Sequence, residues 1–253
     1  MKCKLILLLL SFPILLQAQW SNEGWLWGLQ LGANYSHWNI TDLPQTIIPL
    51  EFSPSTYSTT EHQPYGFTGN LFLYRRIQDF PWFAFQGDLG ISKQEGGYDY
   101  EDVNNLKYTM IFKYYYGYLG LGGKIYPLAK KNRNDERWYT GIYVRGGVQF
   151  GANLNRENIL YTHEPEEVYG PSEYVERELR NVLKGTGYIG WTAGLGLFEI
   201  ELGDSGWGLG LEGRYFESFG DVIDTRTNGY GFTNQDNRLR TFQATVNLAI
   251  PLN

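Results

Sequence analysis

Residues 137–154 read RWYTGIYVRGGVQFGANL, and the two faces of this stretch have opposite characters. Alternate positions from Trp138 are Trp138, Thr140, Ile142, Val144, Gly146, Val148, Phe150, Ala152 and Leu154. Between them lie Tyr139, Gly141, Tyr143, Arg145, Gly147, Gln149, Gly151 and Asn153. Successive side chains of a strand point to opposite faces, so one face is apolar with aromatics towards its ends. The other is small and polar and carries a single arginine. A strand this long with hydrocarbon on one side and glycine, amide and charge on the other suits a wall between lipid and a filled bore.

The same two-residue period recurs along the chain. In Trp25–Trp38, Trp25, Trp27, Leu29, Leu31, Ala33 and Tyr35 oppose Gly28, Gln30, Gly32, Asn34 and Ser36. In Tyr65–Arg76, Phe67, Leu71 and Leu73 oppose Thr68 and Asn70; in Trp82–Gln94, Phe83, Phe85, Leu89 and Ile91 oppose Gln86, Asp88 and Ser92. Leu106–Leu128 alternates in its second half, Leu119, Leu121 and Ile125 against Gly120, Gly122 and Lys124, and a bulge or phase slip is expected near Tyr114–Gly117. The opening stretch is the fifth strand, followed by Tyr188–Leu202, Trp207–Phe219 and Leu239–Leu252. Short connections at 77–81, 129–136 and 203–206 alternate with longer ones at 37–64, 95–105, 155–187 and 220–238. The expected fold is therefore all-β, an eight-stranded antiparallel up-and-down transmembrane β-barrel with short turns on the periplasmic side.

Backbone polar groups in hydrocarbon must all be paired, which only helices and closed barrels achieve. The mature chain has no run of about 18 apolar residues, so strands must do the crossing. A soluble barrel would place its apolar face inside and charge outside, and so many large apolar side chains would overfill a bore of eight strands. Trp25, Trp27, Trp138 and Trp207 fall near the turn-side strand ends, where an interfacial aromatic girdle is expected. Residues 1–18 (MKCKLILLLLSFPILLQA) have the charged, apolar and small-residue order of a secretory signal, leaving 19–253 as the barrel domain and no cysteine after cleavage. The 31 glycines, 20 tyrosines, 14 phenylalanines and 8 tryptophans suit strands that each bury one face. A net charge of -6 with no basic patch argues against a nucleic-acid partner, so outer-membrane lipid and a protein met by loops or turns are the expected contacts.

With the apolar set facing lipid, Asp88, Lys124, Arg145, Glu212 and Arg214 all point inward. Buried charges must be paired, so Arg145, Arg214 and Lys124 are expected to form a network with Glu212 and Asp88. Such a network acts as a plug, and a rearranging gate or ion path is the alternative. No catalytic, cofactor or metal site is expected: the sequence has no metal-ligand spacing, phosphate loop or nucleophile elbow. The three histidines, His37, His62 and His163, fall in or beside loops, and the one arrangement resembling a catalytic group is His37 beside Ser36 with Asp42 nearby. The loop at 155–187 holds Glu157, Glu164, Glu166, Glu167, Glu173, Glu176 and Glu178, and PSEYVERELRNVL (171–183) is expected to form a short amphipathic helix.

Together WGLQLGANYS, WFAFQGDLGISKQEG, YGYLGLGGKIYPLA and RWYTGIYVRGGVQFGANL resemble the PorT-like outer-membrane β-barrel family of Bacteroidetes. The resemblance implies an eight-stranded barrel in the Gram-negative outer membrane with a closed lumen and no known catalysis. It also implies a link to secretion, since the family takes its name from a protein needed for type IX secretion. A non-enzymatic barrel acting through protein contacts is thus expected, with a lipid-modifying enzyme or a small diffusion pore as the other classes.

Overall fold

The computed structural model describes residues 25–38, 57–62, 65–77, 80–102, 107–127, 130–131, 138–139, 141–155, 159–164, 173, 176–177, 180, 184–202, 207–224 and 238–252. The leader at 1–18 lies outside them. In chain order the strands are β1 (Trp25–Trp38), β2 (Tyr57–His62), β3 (Tyr65–Ile77), β4 (Phe80–Asp102), β5 (Lys107–Ile125), β6 (Lys130–Lys131) and β7 (Trp138–Tyr139). They continue as β8 (Gly141–Asn153), β9 (Ile159–Glu164), β10 (Lys184–Gly185), β11 (Tyr188–Leu202), β12 (Trp207–Asp221), β13 (Ile223–Asp224) and β14 (Arg238–Pro251).

Eight of these strands form a closed antiparallel ring, β1–β3–β4–β5–β8–β11–β12–β14, which returns to β1. The closing seam runs in unbroken register from Leu26↔Pro251 to Trp38↔Leu239. No edge is left along the ring, as hydrocarbon requires. Among the described residues no helix is long and apolar enough to cross a membrane. The chain is thus an eight-stranded barrel of the outer-membrane type.

Two sequence expectations are corrected. The β4–β5 ladder runs in register from Phe83↔Ile125 to Glu101↔Lys107, so there is no slip at Tyr114–Gly117. Tyr114 and Tyr116 are buried inside while Tyr115 faces out. Tyrosine suits either environment, an apolar ring with a polar tip, so the period disappears from the sequence without disappearing from the backbone. Likewise, 95–102 continues as sheet instead of forming a loop. There β2 adds to β4 (Tyr57↔Asp102 to His62↔Gly97) and β9 adds to β5 (Lys107↔Glu164 to Phe112↔Ile159), which makes a four-stranded extension on the loop side. Register shifts occur elsewhere, in β11 between Leu197 and Ile200 and between Glu217 and Asp221 of β12.

Inside and outside follow the alternation. Leu211 is 48 % exposed and the next residue, Glu212, 2 %. Ile142, Val144, Val148 and Phe150 face outward, while Tyr143, Arg145 and Gln149 are buried. The outer apolar belt covers Trp27–Tyr35, Phe83–Ile91, Trp207–Tyr215 and Phe242–Ile250. Each run is about nine residues, the length a tilted strand needs to cross hydrocarbon. Beyond it on the loop side the outward positions become charged: Lys93, Lys113, Glu217 and Arg240.

Large rings fill much of the bore beside the small and polar residues of the inward faces. Phe112, Tyr114, Tyr116 and Phe216 fill its loop end, and Phe72, Tyr74, Tyr126 and Tyr143 pack with Ala84 and Ala249 at its turn end. Glycines make the room. A Cβ at Gly28 would come closer than 3.0 Å to the ring of Phe72, one at Gly151 to Tyr188, at Gly190 to Phe216 and at Gly196 to Tyr143. Ring and glycine are complementary partners across the wall, so removing one without the other leaves a void or a clash.

Replacing Leu211 or Val246 by Arg at mid-belt should destabilise the barrel by about 2–4 kcal/mol, whereas Trp207→Arg at the interface should cost only about 0–1 kcal/mol. Reversible urea unfolding in lipid vesicles measures both.

Candidate functional site

The ladders bring the inward charges to one level. Asp88 stands on β4, Lys124 on β5, Arg145 on β8, and Glu212 and Arg214 on β12. Their ladder neighbours are often glycine: Gly120 opposite Asp88, Gly196 opposite Glu212 and Gly194 opposite Arg214. A Cβ at Gly120 would lie 2.9 Å from Asp88 Oδ2. The missing side chains let the ionic ones lean across the bore.

Glu212 is the hub. Its Oε1 accepts from Arg214 Nε at 2.8 Å, Arg214 Nη2 at 2.6 Å and Arg145 Nη1 at 3.4 Å. Its Oε2 accepts from the Tyr143 hydroxyl at 2.6 Å. Arg145 reaches the other way through Nη2 to Asp88 Oδ2. Asp88 Oδ1 accepts from Gln86 Nε2 at 2.6 Å and Asn70 Nδ2 at 3.3 Å. Arg214 Nη2 also donates to Gln30 Oε1 at 2.8 Å, and Gln30 Nε2 donates to Thr245 Oγ1 at 2.7 Å. The charges therefore alternate, Asp88–Arg145–Glu212–Arg214, with amides and a phenol completing both carboxylates.

Lys124 also lies against aromatic faces. Its Nζ lies 4.1 Å from the Tyr143 ring centroid, 4.8 Å from Tyr74 and 5.8 Å from Phe72. A desolvated ammonium gains about 2 kcal/mol or more from such faces. Tyr143 thus joins the two halves, its hydroxyl on Glu212 and its ring beneath Lys124. Every ion of the chain is nearly inaccessible, with Arg145 3 %, Asp88 2 % and Arg214 4 % exposed. In so poor a solvent an alternating, hydrogen-bonded chain holds its charges together across the bore, and breaking it would strand an ion.

Gln30, Asn70, Gln86 and Tyr143 are participants that the sequence reading did not single out. All share the inward parity of the five charges, which was the available signal. The girdle also has a second ring. Trp27 and Trp207 face outward at the turn side, and Trp25 is half-buried beneath the Arg75 guanidinium, 5.5 Å from its ring. Trp138 lies in β7, its side chain outside the described residues. Phe80, Trp82, Phe83 and Phe85 add to this lower ring through edge contacts of 4.8–6.0 Å. The upper ring holds Trp191, Tyr215 and Phe242, with centroids 5.2 and 4.9 Å apart, and Tyr35 with Tyr65 at 5.8 Å.

Ser36 and His37 do not meet. They are consecutive on β1, so Ser36 points into the bore and bonds Gln94 while His37 takes the opposite face. Asp42 lies outside the described residues. His62 is in β2 and His163 in β9, on either flank of the loop-side extension. Among the described residues no group of three His, Cys, Asp or Glu is placed to hold a metal ion. Of the acidic loop, Glu173, Glu176, Arg177 and Arg180 are helical, Glu176 pairs with Arg180, and Glu176 Oε2 accepts the Tyr161 N–H at 3.1 Å.

No protein-family model and no curated protein sequence matches this one. Among solved structures the chain is similar to Neisserial surface protein A (NspA), with 9% identity, 91% of this chain and 98% of that chain covered and a TM-score of 0.41. It is also similar to the outer membrane protein OprG from Pseudomonas aeruginosa, with 10% identity, 90% and 95% coverage and a TM-score of 0.45. For the outer membrane protein AlkL the values are 14% identity, 90% of each chain and 0.45. The ladders above, not these distant likenesses, establish the closed eight-stranded ring.

Glu212→Ala leaves Arg145 and Arg214 without their shared carboxylate and should cost about 3–5 kcal/mol of stability. Removing Arg214 as well should cost clearly less than the sum of the single losses. A double-mutant cycle by equilibrium unfolding reads the coupling, and strict additivity would mean that the two side chains act independently.

Proposed function

We propose that this chain is a non-enzymatic barrel of the bacterial outer membrane whose bore is sealed by its own side chains. It acts through protein contacts made at its ends, in secretion or envelope assembly. The observation that carries this reading is the double closure of the lumen. The Asp88–Arg145–Glu212–Arg214 chain crosses the bore, and the Phe72, Tyr74, Tyr126 and Tyr143 cluster lies at the turn end. A bore so occupied has little role in passage, which leaves the surfaces outside the belt. One described surface of that kind is the β2–β4–β5–β9 extension, regular sheet beyond the belt. The resemblance to PorT-like barrels supports a secretion context.

Affinity capture of the full chain from gently solubilised outer membrane should retrieve a specific envelope companion, lost when β2 is deleted and kept in Glu212→Ala. Lipid A from a deletion strain should have an unchanged mass spectrum; an altered one would replace this reading with lipid modification. In planar bilayers the purified chain and its Glu212→Ala variant should both be electrically silent, because the aromatic floor remains. Discrete conductance steps in the native chain would make it a pore.

A further inference from the structure

The outer wall of β4 and β5 changes character within two residues. Up to Ile91 its outward positions are hydrocarbon; the next are Lys93 and Glu95 on β4, with Lys113 opposite Glu95 on β5. Lys93 pairs with Glu95, and Lys113 Nζ lies 3.9 Å from the same carboxylate. Among the described residues one carboxylate here faces two ammonium groups and cannot neutralise both, so the rim carries surplus positive charge. The next outward acid on β4 is Asp99, engaged by Thr109 Oγ1 at 2.7 Å. Four residues of strand put it about 13 Å from Glu95, beyond a Debye length of about 8 Å at physiological salt.

The backbone beneath is fixed. Lys93 O accepts from Asn34 Nδ2 at 3.0 Å. Asn155 bridges the other side, with Nδ2 to Lys113 O at 2.8 Å and Oδ1 from the Tyr115 N–H at 2.9 Å. Immediately below, Gly117 sits opposite Ile91 and the Leu154 side chain covers it, while the Tyr115 and Phe67 rings meet at 6.4 Å, so the wall under the lysines is a continuous apolar surface with Ile91, Leu154 and Phe67 exposed. An acyl chain can lie along this apolar surface, and an anion suits the two lysines above it. The side with the long connections faces outward from the cell, so these lysines stand at the headgroup level of the outer leaflet.

We propose that Lys93 and Lys113 receive the phosphate of an outer-leaflet lipid headgroup while the exposed Ile91, Leu154 and Phe67 below them carry one of that lipid's acyl chains. The opposite wall supplies a built-in comparison. There Arg240 Nε lies 3.2 Å and Arg238 Nη1 3.7 Å from Glu217, but Asp221 faces Arg238 in the ladder. Among the described residues two cations there meet two carboxylates, which leaves no surplus to recruit an anion.

The test uses full-length protein in phosphatidylcholine nanodiscs containing equal amounts of bisphosphorylated and dephosphorylated lipid A, with retained lipid read by native mass spectrometry. Wild type should favour the phosphorylated form, and Lys93→Gln/Lys113→Gln should reduce that preference about tenfold. Arg238→Gln/Arg240→Gln should keep it. Heat-modifiable migration on gels verifies that each variant is a folded barrel; if the double lysine variant is not, Lys113→Gln alone should show part of the loss. Equal retention by wild type and the lysine variant, or equal loss from both walls, overturns the proposal. Displacement of the lipid by millimolar inorganic phosphate also overturns it, since the site would then be one for free anion.

Discussion

Between Leu26 and Trp38 the first strand of the ring lies against the last, and this pairing decides what kind of molecule the rest of the chain can be. An unpaired peptide group in hydrocarbon costs several kcal/mol, and an open sheet would expose a column of them along both edges. Closure removes both columns at once. It also commits the side chains, because after closure every alternate residue has only the bore to enter. Residues such as Leu31, Leu211 and Val246 would be liabilities on a soluble sheet; on a sealed wall they are its contact with lipid.

The bore then has its own constraint, a fixed radius set by eight strands. Two solutions are combined within it. Where glycines line one wall, rings from another fill the gap, as Phe72 does against Gly28 and Tyr188 against Gly151. Where the level is polar, Glu212 collects two guanidinium groups and a phenol, and Arg145 extends the chain of charge to Asp88. Tyr143 belongs to both, which couples the aromatic floor to the ionic level. Bracing of this kind ties β4, β8 and β12 together across the axis, independently of the ladders that tie them around it.

Much of the architecture was legible in residue order because a strand's period of two is strict. Inward placement of Asp88, Lys124, Arg145, Glu212 and Arg214 follows from parity alone, as does the outward belt. The signal failed where one residue type suits both environments. Tyr114, Tyr115 and Tyr116 read as a phase slip although the β4–β5 ladder passes through them unbroken. It failed again at 95–102, where polar residues outside the membrane carry no inside–outside contrast and yet remain sheet.

Sequence by itself determined that the strands are two-faced, that the apolar face lacks charge over its middle, and that five ions share the inner one. Those are properties of local order, and local geometry suffices to read them. Partner choice was different. That Lys124 lies among aromatic rings, that Glu212 is the hub, and that Ser36 and His37 face apart from any common site depend on how far each strand is displaced along its neighbour. That displacement is settled only when the ring closes, since closure fixes all eight registers together and so fixes which side chains share a level of the bore.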